Sequence, residues 1–314
     1  MPPQPSSLLV LPLPRVVPSS ANPSSTPMPT DPSPNSQPKQ TRHSIRHRNG
    51  PRQADLNDGQ EKLAAAFKGA HYLCTGRLLA EAGKAIVEAA AQIESPEHFI
   101  WSTLPDPVKL SGGRFMNVHH WKSKSLVTEY IQHEHLDLWA KTAAILFPNH
   151  FENCVDLPGM YFSTWDALRT YTLAFPHSPA TVMPNVSIAN TGVLVRAILE
   201  AGSTYFTKTI AFYSQALSEA EKLSAIKKQY NIPTQYRKTS AEEFKKLLES
   251  CYNMASDVAL DFTEQLMIFE ERGNVYARSE CVQANEVSVP ANKDTKSTKT
   301  RYGLDPWLVF TDLV

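Results

Sequence analysis

Short apolar segments alternate with amphipathic helical segments between residues 54 and 155, and this alternation restricts the possible fold more than any other feature. Three segments have the length and the β-branched or aromatic content of buried strands: HYLC at 71–74, HFIWSTL at 98–104 and TAAILFP at 142–148. Helical segments precede or separate them. Strands that alternate with helices of this size predict βαβ units and a parallel sheet. We therefore predict an α/β fold.

The composition narrows the classes of partner and compartment. The chain has 31 basic and 31 acidic residues, a balance that gives no general attraction to nucleic acid or to an anionic membrane surface. No apolar run approaches the roughly 18 residues that cross a bilayer. The four cysteines are scattered without a CxxC, which is typical of buried thiols in a reducing compartment and argues against a zinc site. We predict a cytoplasmic or nuclear protein with no metal, no direct nucleic-acid binding and no membrane segment.

Three regions follow from changes in composition along the chain. Residues 1–53 are rich in Pro, Ser, Thr, Asn and Gln, and they predict a disordered tail because they bury too little apolar surface to offset the entropy of ordering. The tail ends in the basic run KQTRHSIRHRNGPR, which is either a solvated linker or a weak nuclear-import or phosphate-binding patch. A domain is expected over 54–285, with the parallel-sheet part at about 54–155 and a smaller α+β lobe from about 156. Residues 286–314 are expected to be loosely ordered.

Helix-start signals occur in the smaller lobe. Ser218 is followed by Glu221 three residues later, which is a capping box, and the stretch TSAEE at 239–243 repeats the device. Asn190 precedes Thr191 and an apolar helical run, and asparagine is a good N-cap residue. We therefore expect helices to begin at these three places.

The segment HFIWSTLPDPVKLSGGRFMNVHHWKSKSLVTEYI resembles the NmrA-like family of atypical short-chain dehydrogenases/reductases. Members carry a similar strand ending in Trp-Ser-Ser-Leu-Pro and a helix that opens with His, an aromatic residue and Lys. ILFPNHFENC and VSIANTGVLVRAILE are similar to later motifs, so that the resemblance covers about residues 54–280. It implies a Rossmann-type fold that binds NADP(H), used for reduction or as a redox-sensing regulatory protein without turnover. It also implies a protein partner such as a transcription regulator.

Two residues of the opening helix take the positions of a catalytic pair. Many members of the wider superfamily use Tyr-x-x-x-Lys on this helix, and the matching residues here are His120 and Lys124. Residues four apart share one helical face. A lysine ammonium can hydrogen bond to ribose hydroxyls, and an imidazole, with an ordinary pKa of about 6.5, can relay a proton although it is not a phenol. Alternatively, His119 and His120 have only a structural role at the start of the helix, and Lys124 is solvated.

The glycine-rich phosphate loop of the family has no counterpart in this sequence. The family's first strand runs into GxxGxxG, where glycines let the backbone approach the pyrophosphate at a helix N-terminus. The twelve glycines form neither GxxGxxG nor GxGxxG, and the evenly spaced Gly69, Gly76 and Gly83 are too far apart for one turn. We expect an N-terminally altered chain or a degenerate paralogue, with an incomplete Rossmann-like sheet and an impaired NADP site. Losing the first strand would leave HYLC as an open, apolar sheet edge.

Three hypotheses for the function follow. The first is an NADP(H)-linked regulatory or binding protein in which a cleft survives without the phosphate loop, and the residues that the resemblance assigns to this cleft are Ser102, Lys124, Pro148, Asn149 and His150. The second is an NAD(P)H-dependent oxidoreductase acting on a carbonyl or quinone, with His120 as the proton donor. The third is a non-catalytic interaction fragment that docks a partner on the open sheet edge or on the C-terminal lobe.

Overall fold

The structure is a computed structural model. It describes in full residues 60–68, 80–94, 96–150 and 170–287, and elsewhere only the backbone of the strands at 8–10, 44–47, 50–53, 72–75 and 164–165. The structure does not describe the residues of the basic run that lie between these strands, nor nearly all of 286–314, which we expected to be loosely ordered. The boundary expected at about 155 also lies outside the described residues and stays a prediction.

The strands form several sheets. In chain order they are β1 (Leu8–Val10), β2 (Ser44–His47), β3 (Gly50–Gln53), β4 (Tyr72–Thr75), β5 (His98–Thr103), β6 (Thr142–Leu146), β7 (Asn149–His150), β8 (Thr164–Trp165), β9 (Tyr171–Phe175), β10 (Val182–Val186), β11 (Lys208–Ala211), β12 (Gln215–Ser218), β13 (Thr234–Lys238) and β14 (Val282–Gln283). The largest sheet has the order β1-β4-β5-β6-β11-β14, and every neighbouring pair in it is parallel. The predicted α/β class with a parallel sheet is thereby confirmed.

The helices flank this sheet and build the smaller lobe. In chain order they are α1 (Gln60–Phe67), α2 (Ala80–Ala91), α3 (Pro107–Ser111), α4 (His119–Glu134), α5 (Leu136–Trp139), α6 (Ala189–Glu200), α7 (Glu219–Tyr230), α8 (Ala241–Tyr252) and α9 (Ser256–Arg272). Helices α1, α2 and α4 share one apolar core with β5, while α6 packs with β6 and β11 in another. Among the described residues, no helix has both the length and the apolar character to cross a membrane.

The edge next to β4 is occupied in the structure. Strand β1 pairs with β4 in parallel, from Leu8 opposite Tyr72 to Val10 opposite Cys74. This is the edge that we expected to be open, and a strand from the segment predicted to be a tail lies along it. Strands β2 and β3 of the same segment form an antiparallel hairpin. The rest of residues 1–53 lies outside the described part of the chain.

Gly83 has a packing role in this fold. It lies in α2 where that helix meets α4, and a Cβ atom added to it would come within 2.7 Å of Val127 Cγ2. A side chain at this position would therefore force the two helices apart. The glycine allows α2 to approach α4 closely, which explains its presence without reference to phosphate binding.

The smaller lobe contains the sheet β13-β9-β8 with α7 and α8 packed on it. The capping box at Ser218 and Glu221 is confirmed, and Ser240 Oγ accepts a hydrogen bond from Glu243 N at 3.0 Å. A helix begins near Asn190 as expected, but Asn190 is not its N-cap. Helix α6 has Ile188 at its N-cap, and the Asn190 side chain instead donates from Nδ2 to Ser214 Oγ at 3.0 Å.

Candidate functional site

The wall of the candidate site is formed by the end of β5 and the first half of α4. Lys124 Nζ donates a hydrogen bond to Ser102 Oγ at 3.2 Å. Ser102 lies opposite Ile145 of β6, so its hydroxyl is at the edge where these parallel strands have their carboxyl ends. In open α/β sheets, ligands bind outside this edge. The structure therefore brings together two of the residues that the resemblance assigned to the cofactor.

A chain of neutral hydrogen bonds holds α4 on β5. Trp101 Nε1 donates to Thr128 Oγ1 at 3.0 Å, and Thr103 Oγ1 lies 2.6 Å from the same hydroxyl. Thr128 Oγ1 in turn donates to the Lys124 carbonyl at 2.9 Å. Because all three residues are at least nine-tenths buried, water does not compete for these bonds, and the network fixes the position of α4 along β5. It thereby sets where the Lys124 ammonium meets Ser102.

His120 is held by a residue of the C-terminal lobe. Its ring Nδ1 bonds to Asp261 Oδ1, and its backbone N donates to Asp261 Oδ2 at 3.1 Å. Asp261 belongs to α9 and is only 7% exposed, whereas the His120 side chain is 40% exposed. The imidazole also lies beside the Phe262 ring, with 5.8 Å between centroids. The ring is thus fixed on one side and accessible on the other.

The start of α4 depends on α9 for its caps. Val118 stands at the N-cap and makes no side-chain capping bond. Instead, Glu264 accepts hydrogen bonds from Asn117 N at 2.7 Å and from Asn117 Nδ2 at 2.6 Å, next to the Asp261 bond to the His120 amide. A carboxylate at a helix N-terminus is favourable because it pairs with amide hydrogens that have no partner within the helix. Helix α9 supplies this from another part of the chain.

The remaining predicted site residues follow β6. Pro148 is buried, and Asn149 and His150 form β7, which pairs in parallel with β10. Gln265 Nε2 lies 3.5 Å from Asn149 Oδ1. Since Asp261 and Gln265 are four residues apart, one face of α9 contacts both His120 and the segment after β6.

Sequence reasoning missed the three polar residues of α9, Asp261, Glu264 and Gln265. The segment DFTEQ reads as the polar side of an amphipathic helix, yet Asp261 and Gln265 are buried. A weak signal existed, because α4 lacks a capping side chain of its own and must find one elsewhere. Nothing in the sequence points to the helix that provides it.

The described residues contain no group of three His, Cys, Asp or Glu side chains that could hold a metal ion. The polar groups that are present, an ammonium, a hydroxyl and an imidazole, suit the hydroxyls of a sugar. They fit the ribose portion of a dinucleotide. The diphosphate would need backbone amides in a glycine-rich turn, and the sequence has no such motif.

Comparison with known proteins agrees with this fold. Residues 52–297 match the model of the NmrA-like family. An NmrA-like family domain-containing protein of Dictyostelium discoideum is 25% identical over 219 residues, which are 67% of this chain and 66% of that protein. The chain thus spans about two thirds of this relative's length.

Solved structures with the same fold include NmrA, a negative transcriptional regulator, in complex with NADP. It has a TM-score of 0.59 and 19% identity, and the match covers 70% of this chain and 67% of NmrA. An NADPH-dependent quinone oxidoreductase of Escherichia coli complexed with NADPH has a TM-score of 0.50 and 16% identity, with 70% and 72% covered. The family match, the parallel sheet and the β5–α4 wall lead to one conclusion: the chain belongs to the NmrA-like family.

Proposed function

We propose that the chain is an NADP(H)-linked regulatory or binding protein of the redox-sensing type, with an impaired cofactor site. The hydrogen bond between Lys124 Nζ and Ser102 Oγ at the carboxyl edge of the sheet carries this proposal. Lys124 and Ser102 hold the ribose hydroxyls, and Pro148, Asn149 and His150 line the nicotinamide side. The missing glycine-rich motif removes the diphosphate contacts, so that binding is weaker than a complete site gives.

The relatives support the regulatory part of the proposal. NmrA is a negative transcriptional regulator, and its structure was solved with NADP. We propose that this chain also acts through a protein partner, such as a transcription regulator, in the cytoplasm or the nucleus. Docking at the sheet edge beside β4 is less favoured than docking on the C-terminal lobe, because β1 occupies that edge.

Calorimetric titration of the full chain with NADPH tests the cofactor proposal. We expect saturable heat, and a loss of affinity of about tenfold or more in Lys124→Met, because a charged hydrogen bond to the ribose is lost. Lys122→Met is the matched control, since residue 122 is two positions away and points to another side of the helix. Absence of heat from the unchanged chain at millimolar NADPH would refute the proposal.

A second function is favoured by the geometry of His120. Its ring is anchored on Asp261 while 40% of the side chain is exposed, and this arrangement suits an acid-base group. We propose as the alternative an NAD(P)H-dependent oxidoreductase acting on a carbonyl or quinone. NADPH oxidation in the presence of 1,4-benzoquinone, followed by absorbance, should then fall at least a hundredfold in His120→Ala. Turnover that is unchanged in this variant would exclude His120 as the proton donor.

A further inference from the structure

The two nitrogen atoms of the His120 ring are in different surroundings. Nδ1 bonds to Asp261 Oδ1, and the second oxygen of the same carboxylate accepts the His120 backbone N–H. Among the described residues, Nε2 has no hydrogen-bond partner, and the side chain is 40% exposed. An ionised carboxylate can only accept hydrogen bonds, so in the neutral ring the proton must be on Nδ1.

We propose that Asp261 is a positioning residue of the cofactor site, which holds His120 in the Nδ1–H tautomer and makes Nε2 the acceptor that a ligand hydroxyl meets. This proposal rests on the proposed NADP(H) function. It adds that a hydroxyl is the ligand group that His120 recognises. Burial of Asp261 in α9 keeps the carboxylate in place, because water does not compete for its two hydrogen bonds.

The tautomer restricts the class of ligand group. A neutral Nε2 can only accept, so a carbonyl oxygen cannot pair with it, whereas an alcohol or a sugar hydroxyl can donate to it. Lys124, one turn further along the same face of α4, can only donate. A vicinal diol supplies both complements, with one hydroxyl donating to Nε2 and the other accepting from Nζ. The pair His120 and Lys124 therefore suits the ribose diol of a nucleotide.

Asp261 also has a structural role, which the test must separate from positioning. The second oxygen of Asp261 caps the start of α4. Glu264, three residues further along α9, also caps it by accepting hydrogen bonds from Asn117. Loss of either cap should loosen the helix start. Of these two carboxylates, only Asp261 bonds to the imidazole, so only its substitution should change which ring nitrogen carries the proton.

Asp261→Asn gives a directional prediction. The amide has one acceptor oxygen and one donor nitrogen, and the His120 backbone N–H, a donor only, retains the oxygen. The NH₂ group then faces Nδ1, which must accept, and the proton moves to Nε2. In ¹⁵N-labelled protein above pH 8, imidazole nitrogen shifts should show Nδ1–H for His120 in the unchanged chain and Nε2–H in Asp261→Asn. The His120 signals are assigned by their loss in His120→Gln.

Two further variants complete the test. Asp261→Glu should restore the Nδ1–H tautomer, and Glu264→Gln should leave it unchanged although a cap of α4 is weakened. The proposal is overturned by an Nε2–H tautomer in the unchanged chain, by an Nδ1–H tautomer that persists in Asp261→Asn, or by a shift of tautomer in Glu264→Gln. Far-UV circular dichroism establishes that each variant is folded.

Calorimetry with NADPH on the same proteins connects the tautomer to binding. Affinity should fall about three- to tenfold in Asp261→Asn, as expected for one lost hydrogen bond, and should recover in Asp261→Glu. An unchanged affinity in Asp261→Asn would refute the role in ligand binding. Absence of NADPH heat in every protein would refute the proposed function and leave the tautomer assignment standing, because the nuclear magnetic resonance measurement needs no ligand.

Discussion

The β5–α4 wall and the C-terminal lobe both bury polar side chains, but the chemistry of those side chains differs. The wall buries neutral groups, with Thr103, Thr128 and the Trp101 indole bonded to one another. The lobe buries charges, and Lys222 Nζ lies 2.8 Å from Glu219 Oε1 with side chains only 10% and 4% exposed. The hydrogen bonds of the wall join neutral groups, whereas each charge of the buried pair in the lobe needs its partner to remain buried.

Two groups of the lobe, Glu270 and His177, make its stability depend on pH. Burial alone would raise the pKa of Glu270, but hydrogen bonds from Lys238, from the Ser178 amide and from Thr181 outweigh it and lower the pKa to about 2. Burial lowers the pKa of His177, whose ring is fully buried against Phe175 with centroids 5.1 Å apart. Both groups therefore make the folded lobe less stable in acid than at neutral pH.

The largest effect is expected where the two regions meet. Trp121 of α4 is 1% exposed and packs edge-on against Phe269 of α9, with ring centroids 5.8 Å apart. Trp121→Ala should lower the free energy of unfolding by about 3–5 kcal/mol, because it removes buried apolar surface and leaves a cavity. Urea unfolding followed by circular dichroism measures the change.

The matched control is Met116→Ala. Met116 is 54% exposed and lies close in sequence to the same helix, so the change should stay within about 0.5 kcal/mol. A loss of less than about 1 kcal/mol in Trp121→Ala would show that α4 and α9 are not packed as described.

A smaller effect is expected inside the wall. Gly83→Ala introduces a Cβ atom 2.7 Å from Val127 Cγ2, and we expect a net loss of about 1–2 kcal/mol even though alanine favours the helix. Gly192→Ala is the matched control in α6, where a Cβ atom meets nothing within 4 Å and should stabilise the protein by up to about 1 kcal/mol. Equal melting-temperature shifts in the two variants would contradict the close contact between α2 and α4.

The last expected effect is on how the stability of the lobe depends on pH. Glu270→Gln should lower the unfolding free energy by about 1–2 kcal/mol at neutral pH, because charged hydrogen bonds are lost. A lowered carboxyl pKa stabilises the fold fully above the ordinary glutamate pKa of 4.5, and that contribution disappears as the pH falls towards 2. The difference in unfolding free energy between the unchanged chain and Glu270→Gln should thus narrow from pH 5 to pH 2 in urea titrations. A difference that stays constant with pH would exclude Glu270 as a source of the pH dependence.

Local patterns predicted the α/β class, because short segments of sequence are enough to indicate an apolar strand or an amphipathic helix. The capping box at Ser218 and Glu221 was predictable for the same reason. The family resemblance pointed to Lys124 and Ser102, which the fold brings into contact. The neighbourhood of β4 was not predictable, since β1 comes from a segment whose composition indicates disorder.

The rest of the site depends on contacts between distant parts of the chain. Asp261 is 141 residues from His120, and no local pattern encodes their meeting. Asn190 has the residue type of an N-cap, but it lies inside α6 because Ser214 provides a partner for its amide in the folded chain. In each case a tertiary contact decides the role of a polar side chain whose local sequence suggests something else.

The proposal on which the account depends is that the cofactor cleft keeps its sugar-facing wall and lacks the amides that hold the diphosphate. A crystal structure of the full chain soaked with NADPH tests it most directly. The account predicts that the nicotinamide ribose is ordered against Lys124 and Ser102, while no backbone amides of the chain bond the diphosphate. An NADPH molecule seated along its whole length, with its diphosphate held by backbone amides, would contradict the account.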